Sequence, residues 1–343
     1  MLHTAASASR GWCHQLCSHH RLLVRPLVQH LAAMAAPNPP SSSATAGAQS
    51  QPQARLLYTE RVLDSSQQDT GVRVLHLNNP ESLNSLTTNM AAEFTKELQQ
   101  LRADSTMRAL IVTGRGRAFS AGGDFSFIEE RMAASVQDNQ QVLGSFYCTF
   151  LALRSLPVVT IAAINGPAVG GGLGFALACD MRLASTNAKL SANFVKLGIT
   201  PGMGSTCMLP AATNHQVACR LLLTGDLITA QEAKELGLVL EVHPPDQLLA
   251  AAQALAGRVA AAAPAAVSAT LQMLRLQLPQ HVLQEAALLE AREQAVFFKA
   301  EDIKEGLAAV KEKRQPCFQS TAAMDATLAA PGSQHGGSNT QGS

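Results

Sequence analysis

LPVVTIAAINGPAVGGGLGFALACD, residues 156–180, is the stretch whose reading decides the fold class. It opens as a continuous apolar run rich in β-branched residues, the pattern of a strand buried on both faces. Asn165-Gly166-Pro167 then signals a turn. Three consecutive glycines follow, Gly170, Gly171 and Gly172, and the run continues as an apolar helix. Strand, glycine turn and helix in this order aim free backbone N–H groups and the positive helix end at an anionic oxygen.

A second turn of the same kind lies upstream. Residues 108–113 (RALIVT) read as another apolar strand, which runs through Gly114-Arg115-Gly116-Arg117 into AFSAGGD, residues 118–124. Donors from Ala121-Gly122-Gly123-Asp124 and from Gly170-Gly171-Gly172 can converge on one carbonyl oxygen, which makes an oxyanion hole without side chains. The same glycines also suit positive φ or close helix packing. A dinucleotide fold competes for them and fails. After Gly114-x-Gly116 the third fingerprint position is Phe119, after Gly170-x-Gly172 it is Phe175, and neither turn ends in the Lys-Ser/Thr of a P-loop.

Farther out, residues 72–77 (VRVLHL) alternate as a strand that Asn78-Asn79-Pro80 closes. Thr87 or Thr88 can cap a helix carrying Met90, Phe94, Leu98 and Leu101 at helical spacing. Residues 125–154 are helical in pattern, 181–185 form a short strand, and helices at 213–222 and 229–236 flank the turn Thr224-Gly225-Asp226. A strand at 238–242 ends at the boundary Pro244-Pro245. Ala/Leu-rich helices punctuated by Pro264 and Pro279 then run to residue 314. Repeated strand-then-helix units argue an α/β fold.

Composition narrows the function classes. A hydrophobic fraction of 47% supplies a core, and a net charge of +1 gives no electrostatic ground for nucleic-acid binding. Apolar runs of membrane-spanning length are broken by glycine or proline, so no membrane span is expected. Seven scattered cysteines lack any Cys-x-x-Cys pair, which fits a reducing compartment. Residues 1–54 contain no acidic residue, carry Arg10, Arg21 and Arg25, and end in a Pro/Ser/Ala-rich spacer. That is the signature of an organellar transit peptide, and it predicts a mitochondrial matrix location. Cys13, His14, Cys17, His19 and His20 are metal-ligand types, but no second ligand pair follows at finger-like distance, so no metal site is expected. Trp12 belongs to the same presequence. Residues 319–343 are low in bulky apolar residues and are expected to be disordered.

Five motifs in order carry a resemblance: NNPESLNSL, AFSAGGD, INGPAVGGGLGFALACDMRLAS with the following KLGITPGMGST, LLLTGDLITAQEAKELGLVLEVHP, and FFKAEDIKEGLAAVKEKRQPCF. Over residues 55–318 the chain resembles the crotonase superfamily, the enoyl-CoA hydratase/isomerase family. The resemblance implies a core of stacked ββα units in a spiral over 55–245 and a helical C-terminal subdomain over 246–318. It also implies a homotrimer or dimer of trimers, and a coenzyme A thioester as substrate with no separate cofactor. By position, Gly123 and Gly171 would donate their N–H groups to the thioester oxygen. Ser82, Leu83 and Ala121 would line the CoA pocket through their backbones, with Gly122, Asp124 and Gly170 around them. Phe298 and Lys299 would lie near an adenine site.

The resemblance also locates departures. The family's hydratases place one Glu four residues after the first glycine of the GGG turn, which is Gly174 here, and a second at the position of Phe194. Isomerases and some hydrolases place an acid at the position of Gly202. Lesser candidates are Ser191, Asn193 and Thr200 for holding water or substrate. Cys179 and Cys207 are candidate nucleophiles, His76 and His215 candidate bases, and Glu129 and Glu130 acids opening a helix over the pocket. Three readings follow: an enoyl-CoA hydratase/isomerase working through an enolate, an acyl-CoA decarboxylase or thioester hydrolase, and a non-catalytic CoA-thioester-binding protein. Decarboxylation needs the hole but no base, since loss of CO₂ itself generates the enolate.

Overall fold

A computed structural model describes residues 55–319, which lie within one compact unit. The expected transit peptide, Trp12, the Cys13–His20 group and the tail beyond 319 lie outside the described residues.

Six strands form the main sheet in the order β1-β2-β3-β4-β6-β9: β1 (Leu57–Leu63), β2 (Asp69–Leu77), β3 (Ala109–Gly114), β4 (Val159–Ile164), β6 (Met181–Ser185) and β9 (Glu241–His243). β1 pairs antiparallel at one edge and every other pairing is parallel. The register sets Val74 beside Ile111, and Ile111 beside Ile161. Both faces of the sheet are covered, which explains the unbroken apolar runs of β3 and β4. On one face Leu75, Leu77, Leu110, Val112, Ala162 and Ile164 join the main core. On the other, Val72, Val74, Ile111, Ile161 and Leu183 meet Leu248, Ala252 and Leu255 of α8 (Leu248–Ala260) and Leu271 of α9 (Pro264–Arg275).

Helix starts follow their caps. Thr87 accepts from Met90 N to open α1 (Thr88–Ala103), and Pro264 takes the first position of α9, where its missing N–H is harmless. The segment at 125–154 divides into α2 (Phe125–Ala133) and α3 (Val136–Leu151). A three-stranded sheet, β5 (Ala168–Val169), β7 (Lys189–Ser191) and β8 (Leu227–Thr229), stands beside α4 (Gly171–Leu177). After it come α5 (Ser205–Ala212), α6 (His215–Thr224) and α7 (Ala230–Glu235). The chain closes with α10 (Gln280–Phe297), which packs along α3, and α11 (Asp302–Glu312).

Three sequence readings move. β1 is an edge strand absent from the sequence pattern. The strand expected at 238–242 begins only at Glu241, because the Leu238 and Val239 N–H groups donate to the Ala233 carbonyl and cap α7. The C-terminal motif is two helices, broken between Phe297 and Asp302. Among the described residues no single helix is long and apolar enough to cross a membrane. The run at 156–180 is the strand β4, a turn, the two-residue β5 and a seven-residue helix.

An aromatic cluster places the two glycine turns. Phe94 stacks on Phe150 at 5.3 Å and meets Phe175 edge-on at 5.5 Å, while Phe119 lies 6.4 Å from Phe175. Phe119 immediately precedes the first glycine turn and Phe175 lies on the helix that leaves the second. One core knot therefore holds both turns from beneath.

Candidate active site

Three segments meet at the site: 82–86, 120–124 and 168–172. The Val169 N–H donates to the Ser120 carbonyl (3.0 Å), and the Ser120 and Phe119 N–H groups both donate to the Pro167 carbonyl. On the other side, the Ala121 N–H donates to the Leu83 carbonyl (3.0 Å) and the Leu86 N–H to the Gly122 carbonyl (2.7 Å). Two asparagines hold the connecting loops. Asn84 Nδ2 donates to the carbonyls of Arg115 and Ala118, and Asn165 Nδ2 to those of Gly116 and Ala118. Sequence reasoning misses both as clamps, although Asn165 stands in its turn signal. Leu83 and Asn84 sit in the left-handed region with φ 55 each, which suits the asparagine.

The two glycine turns abut. Gly122 has φ 84, and a Cβ there would fall 2.6 Å from the Val169 carbonyl oxygen and 3.1 Å from Gly171 N. Only glycine allows that approach. The N–H groups of Gly123 and Gly171 find no acceptor among the described residues. Each stands at the start of a helix, Gly123 just ahead of α2 and Gly171 at the first position of α4. The Gly171 N–H is an orphan donor of a helix end, which favours an anion, while the Gly123 N–H belongs to the loop just before the cap of α2. The surrounding walls are apolar. Leu86 Cδ1 and Met203 Cε each lie 3.7 Å from the position of a Cβ on Gly171, and Phe127 Cδ1 lies 3.6 Å from that of Gly123.

Asp124 is occupied as the cap of α2: its Oδ1 accepts from Phe127 N (2.6 Å) and Ser126 Oγ (2.9 Å). Ser82 and Leu83 close a short turn over Pro80–Ser82, beside the first glycine turn. Gly170 donates its N–H to the Ser191 carbonyl and adopts φ 54. Phe298 is 3% exposed and belongs to the main core, while Lys299 donates to the Met132 carbonyl on α2.

The lesser candidates mostly find structural partners. Glu129 and Glu130 do not open a helix, because Phe125 does. They lie in the middle of α2 and are exposed, with Glu129 paired to Lys311 at 2.8 Å. Ser191 donates to the Gly225 carbonyl. Burial pushes the Cys179 thiol up to about 12, and burial together with nearby Glu290 pushes Cys207 up to about 11, so neither supplies a thiolate near neutral pH. His76 is buried, stacks on Tyr58 at 4.7 Å and pairs with Glu60; burial lowers its pKa. His215 contacts Cys219 one turn along α6. Asn193 Oδ1 lies 3.2 Å from the position of a Cβ on Gly170, whose N–H goes to the Ser191 carbonyl. Thr200 Oγ1 is buried without a hydrogen-bond partner among the described residues, and the Thr200 carbonyl accepts from Gln294.

The family model of the enoyl-CoA hydratase/isomerase family matches residues 67–321. The chain belongs to that family. A Thermus thermophilus protein provisionally named an enoyl-CoA hydratase is 41% identical over 247 residues, 72% of this chain and 97% of that one. The (E)-benzylidenesuccinyl-CoA hydratase of Thauera aromatica is 38% identical over 255 residues, 72% of this chain and 95% of the relative. The crystal structure of an enoyl-CoA hydratase/isomerase from Pseudoalteromonas atlantica T6c superposes with a TM-score of 0.66 at 30% identity, over 77% of this chain and 100% of that one. The fold described above is thus the crotonase fold, and the protein is an acyl-CoA-processing enzyme of the hydratase/isomerase type.

The three positions where the resemblance implies an acid hold Gly174, Phe194 and Gly202, and at the two glycines a side chain would meet close neighbours. A Cβ on Gly174 would fall 2.6 Å from Met203 Cβ and 2.7 Å from its Cγ. Phe194 is a buried ring whose edge lies 3.9 Å from the position of a Cβ on Gly170. A Cβ on Gly202 would strike the Tyr147 hydroxyl. That hydroxyl bonds Gln294 in the α3–α10 interface, and burial raises its pKa.

Proposed function

We propose that the enzyme holds an acyl-CoA thioester with its carbonyl oxygen between the N–H groups of Gly123 and Gly171, and that its reaction passes through the enolate this stabilises. The observation that carries the reading is the pair of N–H groups on abutting turns that find no acceptor among the described residues, one at the first position of α4 and one just before the cap of α2. One such donor is typically worth about 2.7–4 kcal/mol in the transition state. The backbones of Ser82, Leu83 and Ala121 line the CoA pocket in this reading, framed by Gly122, Asp124 and Gly170. Lys299 serves the adenine end, with Phe298 supporting it from the core.

Hydration requires an acceptor for the proton of water and a donor for the α-carbon. Gly174, Phe194 and Gly202 offer neither, so the reaction that suits the site best is loss of CO₂ from a malonyl-type thioester. The bond from the α-carbon to the carboxylate breaks, its electron pair enters the enolate, CO₂ leaves, and a solvent proton then reaches the α-carbon. Apolar walls favour that step, because the negative charge moves from the carboxylate to the hydrogen-bonded oxygen. Hydration of an enoyl-CoA is the second reading, favoured by relatives that include the 2,3-dehydroadipyl-CoA hydratase of Escherichia coli, 34% identical over 250 residues.

Incubating the purified enzyme with malonyl-type and crotonyl-CoA thioesters and following products by mass spectrometry decides between them. The expected outcome is decarboxylated product, with little hydration of crotonyl-CoA. Predominant 3-hydroxyacyl-CoA selects the second reading, and binding without any product leaves a CoA-thioester-binding protein only.

We also propose the homotrimer or dimer of trimers. Supporting it, Met273, Leu274 and Leu276 at the end of α9 are 61%, 59% and 71% exposed, and Leu288 and Leu289 of α10 are exposed as well. Light scattering should give three or six times the chain mass, and a monomer at micromolar concentration would overturn this.

A further inference from the structure

The helix that follows the first glycine turn is lightly held. α2 begins two residues after Gly123, with Asp124 as its cap, and of its residues only Phe127 and Ile128 are buried. Phe127 stacks on Phe146 of α3 at 5.0 Å, which fixes one side of the helix. Its first residue, Phe125, is 44% exposed. A short helix with so small an apolar face depends on contacts beyond its own core for its place.

Those contacts come from α11. Lys311 Nζ lies 5.7 Å from the centre of the Phe125 ring and 2.8 Å from Glu129 Oε1. Phe125 and Glu129 stand one turn apart, so a single ammonium group bridges two residues on one face of α2. The helix that carries Lys311 is itself firmly seated. Ile303 and Leu307 are buried in the main core. A Cβ on Gly306 would fall 2.5 Å from the Leu197 backbone carbon, so α11 lies directly against the short helical turn Asn193–Leu197. Lys299 reaches α2 as well, donating to the Met132 carbonyl (2.7 Å), but the adenine end of the substrate also calls on it. Lys311 Nζ has no partner outside α2 among the described residues.

We propose that Lys311 is a positioning residue for the Gly123 oxyanion donor. Its ammonium clamps the start of α2 onto α11. The clamp holds the Asp124 cap, and with it the backbone at Gly123, at the separation from Gly171 that two donors to one oxygen require. The thioester oxygen gains its charge only as the reaction proceeds, so a displaced donor costs turnover rather than binding. This role rests on the assignment of Gly123 to the oxyanion hole.

The test pairs hydrogen exchange followed by mass spectrometry with steady-state kinetics of the full-length protein, on whichever of malonyl-CoA and crotonyl-CoA it turns over. Lys311→Gln removes the charge and keeps most of the length of the side chain. Exchange in residues 123–133 should quicken by about fivefold, the scale of one exposed ion pair together with one cation–π contact, while other segments stay within about twofold. kcat should fall by about fivefold with KM within about twofold, less than deletion of a donor would cost because the N–H is displaced rather than removed. Lys311→Arg makes both contacts and should return exchange and kcat to within about twofold of wild type. Lys304→Gln is the control: Lys304 pairs with Glu301 at the start of its own helix, 2.7 Å away, and its loss should change neither readout.

Unchanged exchange in Lys311→Gln overturns the clamp. Quickened exchange with unchanged kcat overturns the positioning role, as does a fall in kcat that Lys311→Arg fails to restore. Turnover of neither thioester by wild type overturns the enolate reading of the site and the positioning role with it, whereas the exchange data still report the clamp.

Discussion

Gly171→Pro is expected to lower kcat/KM on any acyl-CoA substrate by about 10²–10³-fold, the loss that removal of one oxyanion donor produces. Gly171 occupies the first position of α4, where proline is well tolerated, so the substitution deletes the N–H and little else. Gly171→Ala is the control. Its Cβ would meet Leu86 and Met203 at 3.7 Å, an ordinary contact, and its N–H remains. A proline variant within tenfold of the alanine variant, in steady-state assays of both, would remove Gly171 from the oxyanion role.

Gly174→Glu is expected to destabilise the protein by about 4 kcal/mol or more, because it overpacks a closed core position and buries a carboxylate without a partner. The added Cβ alone would stand 2.6 Å from Met203 Cβ and 3.1 Å from the Met203 carbonyl oxygen. At roughly 2–4 °C per kcal/mol for a domain of this size, the melting temperature should fall by about 8 °C or more. Calorimetry checks it; a shift under about 2 °C would mean that Met203 yields freely, and that restoring the hydratase-like acid is sterically open.

Much of this was legible from residues alone, where a local signal and the tertiary structure agree. Thr87 caps α1, Pro264 opens α9, and both glycine turns sit between a strand and a helix. The elements that escaped reading are those whose local signals are short or contrary. β7 and β8 have three residues each, too few to display a period of two. α5 contains Pro210 and starts after left-handed Gly204, both of which argue against a helix, yet Glu290 from 86 residues away supplies its N-terminal acceptor. Within the site, glycines and the vacant acid positions could be read, but not why those positions are vacant. The contact between Gly174 and Met203 joins residues far apart in the chain, and no spacing rule reports it. The Asn84 and Asn165 clamps are likewise defined by which carbonyls they reach.

The Gly174–Met203 contact constrains how this pair can drift. A larger residue at 174 and a methionine at 203 claim the same space, so enlarging 174 first overpacks the core, and shrinking 203 first leaves a cavity. Each single step lowers stability, and only the coupled change recovers it. Position 203 thereby acts as a ratchet on position 174: selection for a folded protein is enough to keep a carboxylate from returning there, whether or not the enzyme has any use for one.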